Sequence, residues 1–260
     1  MKLFGVTIDE IRREDALLRL EKSQVIFTPN PEILLEARRN RVFQRALSAG
    51  TLMLPDGHGL QFVSTLLQVR SVWLRAILYF PALLLFLIWK GPFTKVFPEV
   101  IHGSDFMDDV VHFAATRGYS VFFLGGKNSA QGTADYFVKK YPRLKVAGVS
   151  SQDPSEEALE AVKQARTQVL FVAYGAPKQE LWISKYAKQI SGLKHVMAVG
   201  GSFDFYSGKV KRSPKVLRAV GLEWLWRLCM NPWQRIRRIC NAVVVFPIIS
   251  FGSSSLERRK

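Results

Sequence analysis

Asp56 stands in Leu54-Pro55-Asp56-Gly57-His58-Gly59, directly after a short apolar run from Thr51 to Leu54. A carboxylate on a glycine-rich turn at a strand end can reach a bound ligand, which is where a general base has to be. An ordinary turn aspartate is the competing reading. His58 is close in sequence, but nearby turn positions seldom face the same way, so Asp56 is the stronger candidate. Two glycine loops have a different use. Phe123-Leu124-Gly125-Gly126-Lys127-Asn128-Ser129 precedes a segment of helical composition, and Gly175-Ala176-Pro177-Lys178-Gln179-Glu180 repeats the design. Amides at a strand-to-helix glycine loop cradle phosphate. Neither loop is GxGxxG or GxxxxGK[ST], so an ordinary helix entry competes in each case. Pro177 suits a helix start, and Lys178 and Gln179 offer a charge and an amide to a ligand. Thr28 and Asn30 follow another apolar run with short polar side chains. Asp108-Asp109 falls in a predicted helix and Asp204 stands apart, so no metal-binding carboxylate pair is expected.

These residues need a scaffold that gathers them. Apolar runs recur at Val25 to Phe27, Thr51 to Leu54, Val121 to Leu124, Lys145 to Val149, Val169 to Ala173 and His195 to Val199, each followed by a helical segment. Runs of about five residues alternating with helices predict strands buried on both faces of a parallel sheet. The fold class expected is therefore α/β, a Rossmann-like parallel sheet with helices on both faces. In such a sheet ligands bind at the carboxyl ends of the strands, where Thr28, Asn30, Asp56, Gly125, Gly126, Gly175 and Gly200 all fall.

With 260 residues, 48% of them apolar and 22% charged, the chain is globular, and disorder is excluded as its main character. Cys229 and Cys240 form neither a CxxC pair nor a Cys/His cluster, so a disulfide framework and a structural zinc site are not expected. A reducing, cytoplasmic setting and no signal peptide are. The net charge is +16, and residues 207–260 carry twelve Lys and Arg against two Glu. Such a surface attracts anions. Nucleic acid is not the expected partner, because no recognised nucleic-acid module accompanies the charge.

Two segments break the strand–helix rhythm. Val72 to Trp89 is apolar except for Arg75 and is interrupted by Pro81. At about 27 Å as a helix it is marginal for spanning a core of about 30 Å, and Pro81 favours a kink or hairpin. Membrane insertion leads, with Arg70, Arg75, Lys90 and Lys95 as snorkelling anchors; an oligomer interface and buried core are the alternatives. The second segment is the tail, where Trp224, Trp226 and Trp233 mix with Arg218, Arg227, Arg235, Arg237 and Arg238. That mixture predicts a helix lying on an anionic membrane surface. A basic helix whose tryptophans pack on the core is the alternative. The domain organisation expected is a Rossmann-like domain over 1–209 with an apolar insertion at about 72–97, followed by a basic, aromatic membrane-association appendage over 210–260.

Thr28-Pro29-Asn30-Pro31-Glu32, Pro55-Asp56-Gly57, Gly103-Ser104-Asp105, Phe123-Leu124-Gly125-Gly126, Gly175-Ala176-Pro177-Lys178-Gln179-Glu180, Gly200-Gly201-Ser202-Phe203-Asp204 and Gly221-Leu222-Glu223-Trp224 with Arg227 occur in one order along nearly the whole chain. In this the sequence resembles the WecG/TagA/CpsF glycosyltransferases, glycosyltransferase family 26. The resemblance implies inverting transfer of a sugar from a UDP-sugar to a polyprenyl-diphosphate-linked saccharide. It places that reaction at the cytoplasmic membrane face, without a metal, in cell-wall or extracellular polysaccharide synthesis. N-acetylmannosamine, its uronic acid and glucose are the family's donor sugars. The resemblance makes Asp56 the base. It puts Thr28, Asn30, Gly125, Gly126, Gly175, Pro177, Lys178, Gln179 and Glu180 on the donor side. Arg212, Arg227, Arg235 and Arg238 are expected at the acceptor diphosphate or the membrane. No cofactor is implied beyond the UDP-sugar co-substrate.

Three departures stand out. Val100 occupies a position where members usually carry Arg, with His102 as a candidate substitute. Arg212-Ser213-Pro214 replaces the usual Arg-Ala-Pro, and Gly148-Val149-Ser150 replaces Gly-Tyr-Phe. The lost Arg motivates an alternative, a catalytically idle scaffold of the same fold. A nicotinamide oxidoreductase is disfavoured, since no GxGxxG with an acidic residue about twenty positions on is present.

Overall fold

The structure, a computed structural model, describes residues 1–210, 226, 228 and 232–252, and over 232–235 the backbone alone. A short hairpin, β1 (Lys2–Leu3) and β2 (Val6–Thr7), opens the chain. Phe4 and Gly5 turn it with positive φ at both positions, as a two-residue hairpin turn requires. The main sheet has six parallel strands: β3 (Gln24–Phe27), β4 (Leu52–Met53), β5 (Ser120–Gly125), β6 (Lys145–Ser150), β7 (Val169–Ala173) and β8 (His195–Ala198). Their order is β4-β3-β8-β7-β5-β6. All six strands expected from the sequence form; five are largely buried between the two helix layers, and β6, at the sheet edge, is only partly buried.

Side-chain alternation divides the interior into two layers. Phe27, Phe122, Leu124, Leu170, Val172, Val196 and Ala198 point to one face; Ile26, Val121, Phe123, Val169, Phe171 and Met197 point to the other. The first face is covered by α2 (Pro31–Arg39), α3 (Arg41–Leu47), α4 (His58–Leu66), α8 (Glu156–Gln164) and α9 (Lys178–Tyr186). The second takes α1 (Arg13–Leu18), α6 (Gly103–Arg117), α7 (Ala130–Lys140) and α10 (Ser202–Tyr206). Right-handed crossovers dictate this division. The connections β3 to β4, β6 to β7 and β7 to β8 step one way across the sheet and leave their helices on the first face. Those from β4 to β5 and from β5 to β6 step the other way and reach their next strand over the second face, through α6 and α7, although α4 at the start of the β4–β5 connection still packs on the first.

Helix α5 (Val72–Ile88) runs through Pro81 as one continuous helix, so the hairpin that proline suggested does not form. Among the described residues no helix is long and apolar enough to cross a membrane. Arg75 is not a snorkelling anchor either. It is buried, with Nε donating to the Val69 carbonyl at 2.6 Å, Nη1 to Phe251 at 3.2 Å and Nη2 to Leu67 at 3.4 Å. A guanidinium taken from water needs such partners, and here it satisfies carbonyls just beyond the end of α4.

Residues after 210 contribute to the same core. Helix α11 (Pro232–Cys240) passes through a π turn (Asn241–Val245) into α12 (Phe246–Gly252). Phe246 is fully buried edge-on to Phe4, and Phe251 meets Tyr79 of α5.

Candidate active site

Strands β3 and β8 are neighbours, yet the chain leaving β3 enters α2 on one face of the sheet, while the chain leaving β8 enters α10 on the other. The loops therefore part above these two strands and open a crevice at their carboxyl ends, the topological switch point where doubly wound sheets bind ligands.

Asp56 lies on the β3–β4 side of that crevice. Its backbone N–H donates to the Pro29 carbonyl at 3.1 Å, and Ile101 N–H donates to the Pro55 carbonyl at 2.9 Å. Three loops remote in sequence are thus fastened together. Gly103, the first residue of α6, packs closely on Thr28, where a Cβ would stand 3.1 Å from Oγ1. Asp56 is half-buried, and its Oδ1 lies 3.3 Å from His102 Nδ1. The His102 ring meets His58 edge-on at 6.0 Å, and His58 meets Phe86 of α5 at 6.2 Å. Burial pushes the His58 imidazole down to about 4, with Lys90 and His102 adding to the shift. His58 is therefore neutral near pH 7, and it packs beside the carboxylate without contributing a charge.

The Asp56–His102 contact predicts that His102 positions the carboxylate. His102→Ala should lower turnover by roughly 10- to 100-fold, the worth of a hydrogen bond to a charged group. His102→Gln, which keeps a donor, should recover most of that loss. Wild-type rates in both variants would show that the contact is structural only.

On the other side, the glycine loops knit into one surface. Gly126 N–H donates to the Ala173 carbonyl at 2.9 Å, and Gly200 N–H donates to Gln179 Oε1 at 2.9 Å. Gly125 and Gly126 both have positive φ, and a Cβ at Gly126 would strike Phe203 at 2.5 Å, so glycine is needed twice over. Ser129 Oγ donates to Asp204, which also has Lys209 Nζ at 3.9 Å. Lys178 is exposed at the first turn of α9, where backbone amides and the helix dipole favour an anion. Gln179 is 5% exposed; its Nε2 donates to Glu180 Oε1 at 2.9 Å.

Glu180 is 1% exposed, and its Oε2 meets no hydrogen-bond partner among the described residues. Burial raises its pKa above the ordinary 4.5, against smaller lowering contributions from Gln179 and its own backbone. The folded chain thus holds this proton more tightly than the unfolded chain. The stabilisation is full below 4.5 and is lost as pH rises through the raised folded value. Glu180→Gln should flatten that decline and raise stability at pH 7. Denaturant midpoints measured from pH 4 to pH 8 check this, and an unchanged slope in the variant would contradict it.

The structure places Thr28 and Asp56 together, and groups Gly125, Gly126, Gly175 and Pro177 on the loops after β5 and β7 with Lys178, Gln179 and Glu180 on the first turn of α9. Asn30 Oδ1 accepts from Ile33 N–H at 3.0 Å and caps α2. Arg238 pairs with Glu32 at 2.5 Å. Arg212, Arg227 and the Arg235 side chain lie outside the described residues. Sequence reasoning did not single out Tyr174, whose ring is so close to Gly125 that a Cβ there would stand 2.8 Å from it. Burial raises the Tyr174 phenol, with Asp153 adding to the shift, so it stays protonated. Its one signal was an aromatic residue between the β7 run and the following glycine. Of the aspartates set aside, Asp109 binds Arg13 through two hydrogen bonds of 2.7 Å, and Asp108 takes Lys140 Nζ at 2.5 Å and Tyr141 at 3.0 Å.

The model of the Glycosyl transferase WecG/TagA/CpsF family matches residues 1–83 and 82–259. The chain belongs to that family. The two matched stretches meet inside α5, the segment with the unusual apolar run. Among similar curated proteins is an N-acetylglucosaminyldiphosphoundecaprenol N-acetyl-beta-D-mannosaminyltransferase of Bacillus subtilis (strain 168). It is 30% identical over 213 residues, covering 81% of this chain and 73% of the relative. The protein of the same name from Bacillus spizizenii is 30% identical over 231 residues, 87% and 79% of the two chains. That from Staphylococcus aureus (strain MW2) is 26% identical over 240 residues, 90% and 83%. The family blocks Pro55-Asp56-Gly57 and Gly175 to Glu180 thus fall on opposite sides of one crevice.

Proposed function

We propose that this member of the family transfers an N-acetylhexosamine from a UDP-sugar to a polyprenyl-diphosphate-linked saccharide, with inversion and with Asp56 as general base. N-acetylmannosamine is the donor sugar that the relatives' names favour. The observation that carries the reading is the half-buried Asp56 carboxylate, 3.3 Å from His102 Nδ1 after β4, with the glycine loops that follow β5 and β7 on the other side of the β3–β8 switch point.

In this reaction an acceptor hydroxyl attacks C1 of the donor sugar. Its proton passes to Asp56, the C1–O bond to UDP breaks, and the electron pair leaves on the β-phosphate oxygen. One displacement inverts C1, which turns an α-linked UDP-sugar into a β-linked product and agrees with the "beta" in the relatives' names. Charge developing on UDP needs fixed donors, and the amides of the Gly125–Gly126 loop and the first turn of α9, with Lys178, suit that role. A lipid-linked acceptor sets the reaction at a membrane, here at its cytoplasmic face. The test is release of UDP from UDP-N-acetylmannosamine with and without a GlcNAc-diphosphate-lipid acceptor. Acceptor-dependent release supports the transferase. Tight UDP binding without release under any donor would favour the idle scaffold that Val100 suggests.

A further inference from the structure

Helix α5 presents a surface that the transferase reading does not account for. Trp73 is 82% exposed, Ile77 71%, Phe80 67%, Leu87 60% and Ile88 87%, with Leu74, Leu78, Leu84 and Leu85 also exposed. Residues 76–89 contain no charged side chain. At 100° per residue, these positions cover roughly half the helix circumference. Among the described residues the contacts fall on the opposite side, through Arg75 on the carbonyls of Leu67, Val69 and Phe251, Tyr79 against Phe62 and Phe251, and Phe86 against Phe62 and Phe93.

We infer that α5 is an in-plane membrane anchor, its outer half sunk among lipid acyl chains and its inner half bolted to the catalytic domain. Four features choose lipid as the occupant. A partner helix covers a narrow stripe, whereas acyl chains wrap the whole free half. Trp73 and Trp89 mark the two ends of the exposed face, as interfacial tryptophans do. Exposed Arg70 and Lys95 flank the run, complementing an anionic headgroup layer, and the chain as a whole carries +16. Finally, the inner side packs along its length and holds buried Arg75, so lipid cannot surround the helix as a span requires. Interfacial helices sink about 5–10 Å, which suits a helix held alongside a domain.

One consequence rests on the transferase reading. Phe86 of α5 touches His58, which touches His102, which touches Asp56. Two side chains, His58 and His102, thus link the anchor to the base, so a lipid-linked acceptor meets Asp56 without leaving the membrane surface.

The experiment is flotation of the full chain with vesicles of phosphatidylglycerol and phosphatidylethanolamine that contain no acceptor, compared with Ile77→Glu/Leu84→Glu/Ile88→Glu. The wild type should float even at about 1 M salt, where screening shortens the Debye length to about 3 Å. The triple variant, altered only at exposed positions, should float at least tenfold less while keeping its melting temperature and its rate on a water-soluble short-chain acceptor. Bromine on the acyl chains should quench wild-type tryptophan fluorescence, and Trp73→Phe/Trp89→Phe should measurably reduce that quenching. Three outcomes overturn the inference: wild type left in the aqueous fraction, salt-reversible flotation that the triple variant retains, or a lipid-free dimer that the triple variant dissociates. If the short-chain acceptor gives no product with wild type, the transferase reading fails while the anchor stands on flotation alone.

Discussion

Asp56→Asn should lower turnover by roughly 10²- to 10⁴-fold, the usual worth of a general base, while UDP affinity stays within about twofold. The substitution keeps the size and planarity of the side chain and removes only its basicity. UDP affinity should hold because the glycine loops and α9, which suit the diphosphate, lie on the other side of the crevice from Asp56. The backbone bond from Asp56 N–H to Pro29 is untouched by the change, so the loop geometry survives. Steady-state rates and UDP titration calorimetry on the same preparation separate the two quantities. Unchanged turnover would remove Asp56 from the chemistry, and a parallel loss of UDP affinity would show that the carboxylate serves binding.

Phe246→Ala should destabilise the whole protein by about 3–5 kcal/mol, the cost of emptying a fully buried aromatic site. That is a large share of the 5–15 kcal/mol typical of a domain. The effect is expected because Phe246 packs on Phe4 of the N-terminal hairpin, within the core that covers one face of the sheet. Equilibrium unfolding in urea, followed at several wavelengths, measures it. A loss below about 1 kcal/mol, or a separate early transition, would mean that the C-terminal segment detaches as an appendage of its own.

The sheet was legible because most of its strands are buried on both faces, which leaves continuous apolar runs such as Val169 to Ala173. The hairpin β1–β2 was not, since two residues per strand set no periodicity. Asn30 shows why a polar residue after a strand is ambiguous: a ligand contact and a helix cap use the same short side chain, and Pro31 at the first helical position was the unused sign of a cap. Arg75 in an apolar run looks like an anchor from sequence, because its partner Phe251 lies 176 positions away. The Asp56–His102 contact spans 46 positions; the missing Arg at Val100 pointed to that neighbourhood, but only the fastening of Ile101 to Pro55 brings His102 to the carboxylate. The placement of Asp56 and of the glycine loops was readable because their residue types are tied to strand ends, whose order along the chain survives in any parallel sheet.

Product analysis tests the central claim most directly. Purified protein is incubated with UDP-N-acetylmannosamine and a GlcNAc-diphosphate-lipid, and the lipid product is examined by mass spectrometry and by NMR of its new anomeric centre. The account predicts an acceptor enlarged by one N-acetylhexosamine, joined through a β linkage, with one UDP released per transfer. An α-linked product would contradict single displacement by an acceptor hydroxyl deprotonated at Asp56, and free sugar with an unaltered lipid would contradict transfer itself.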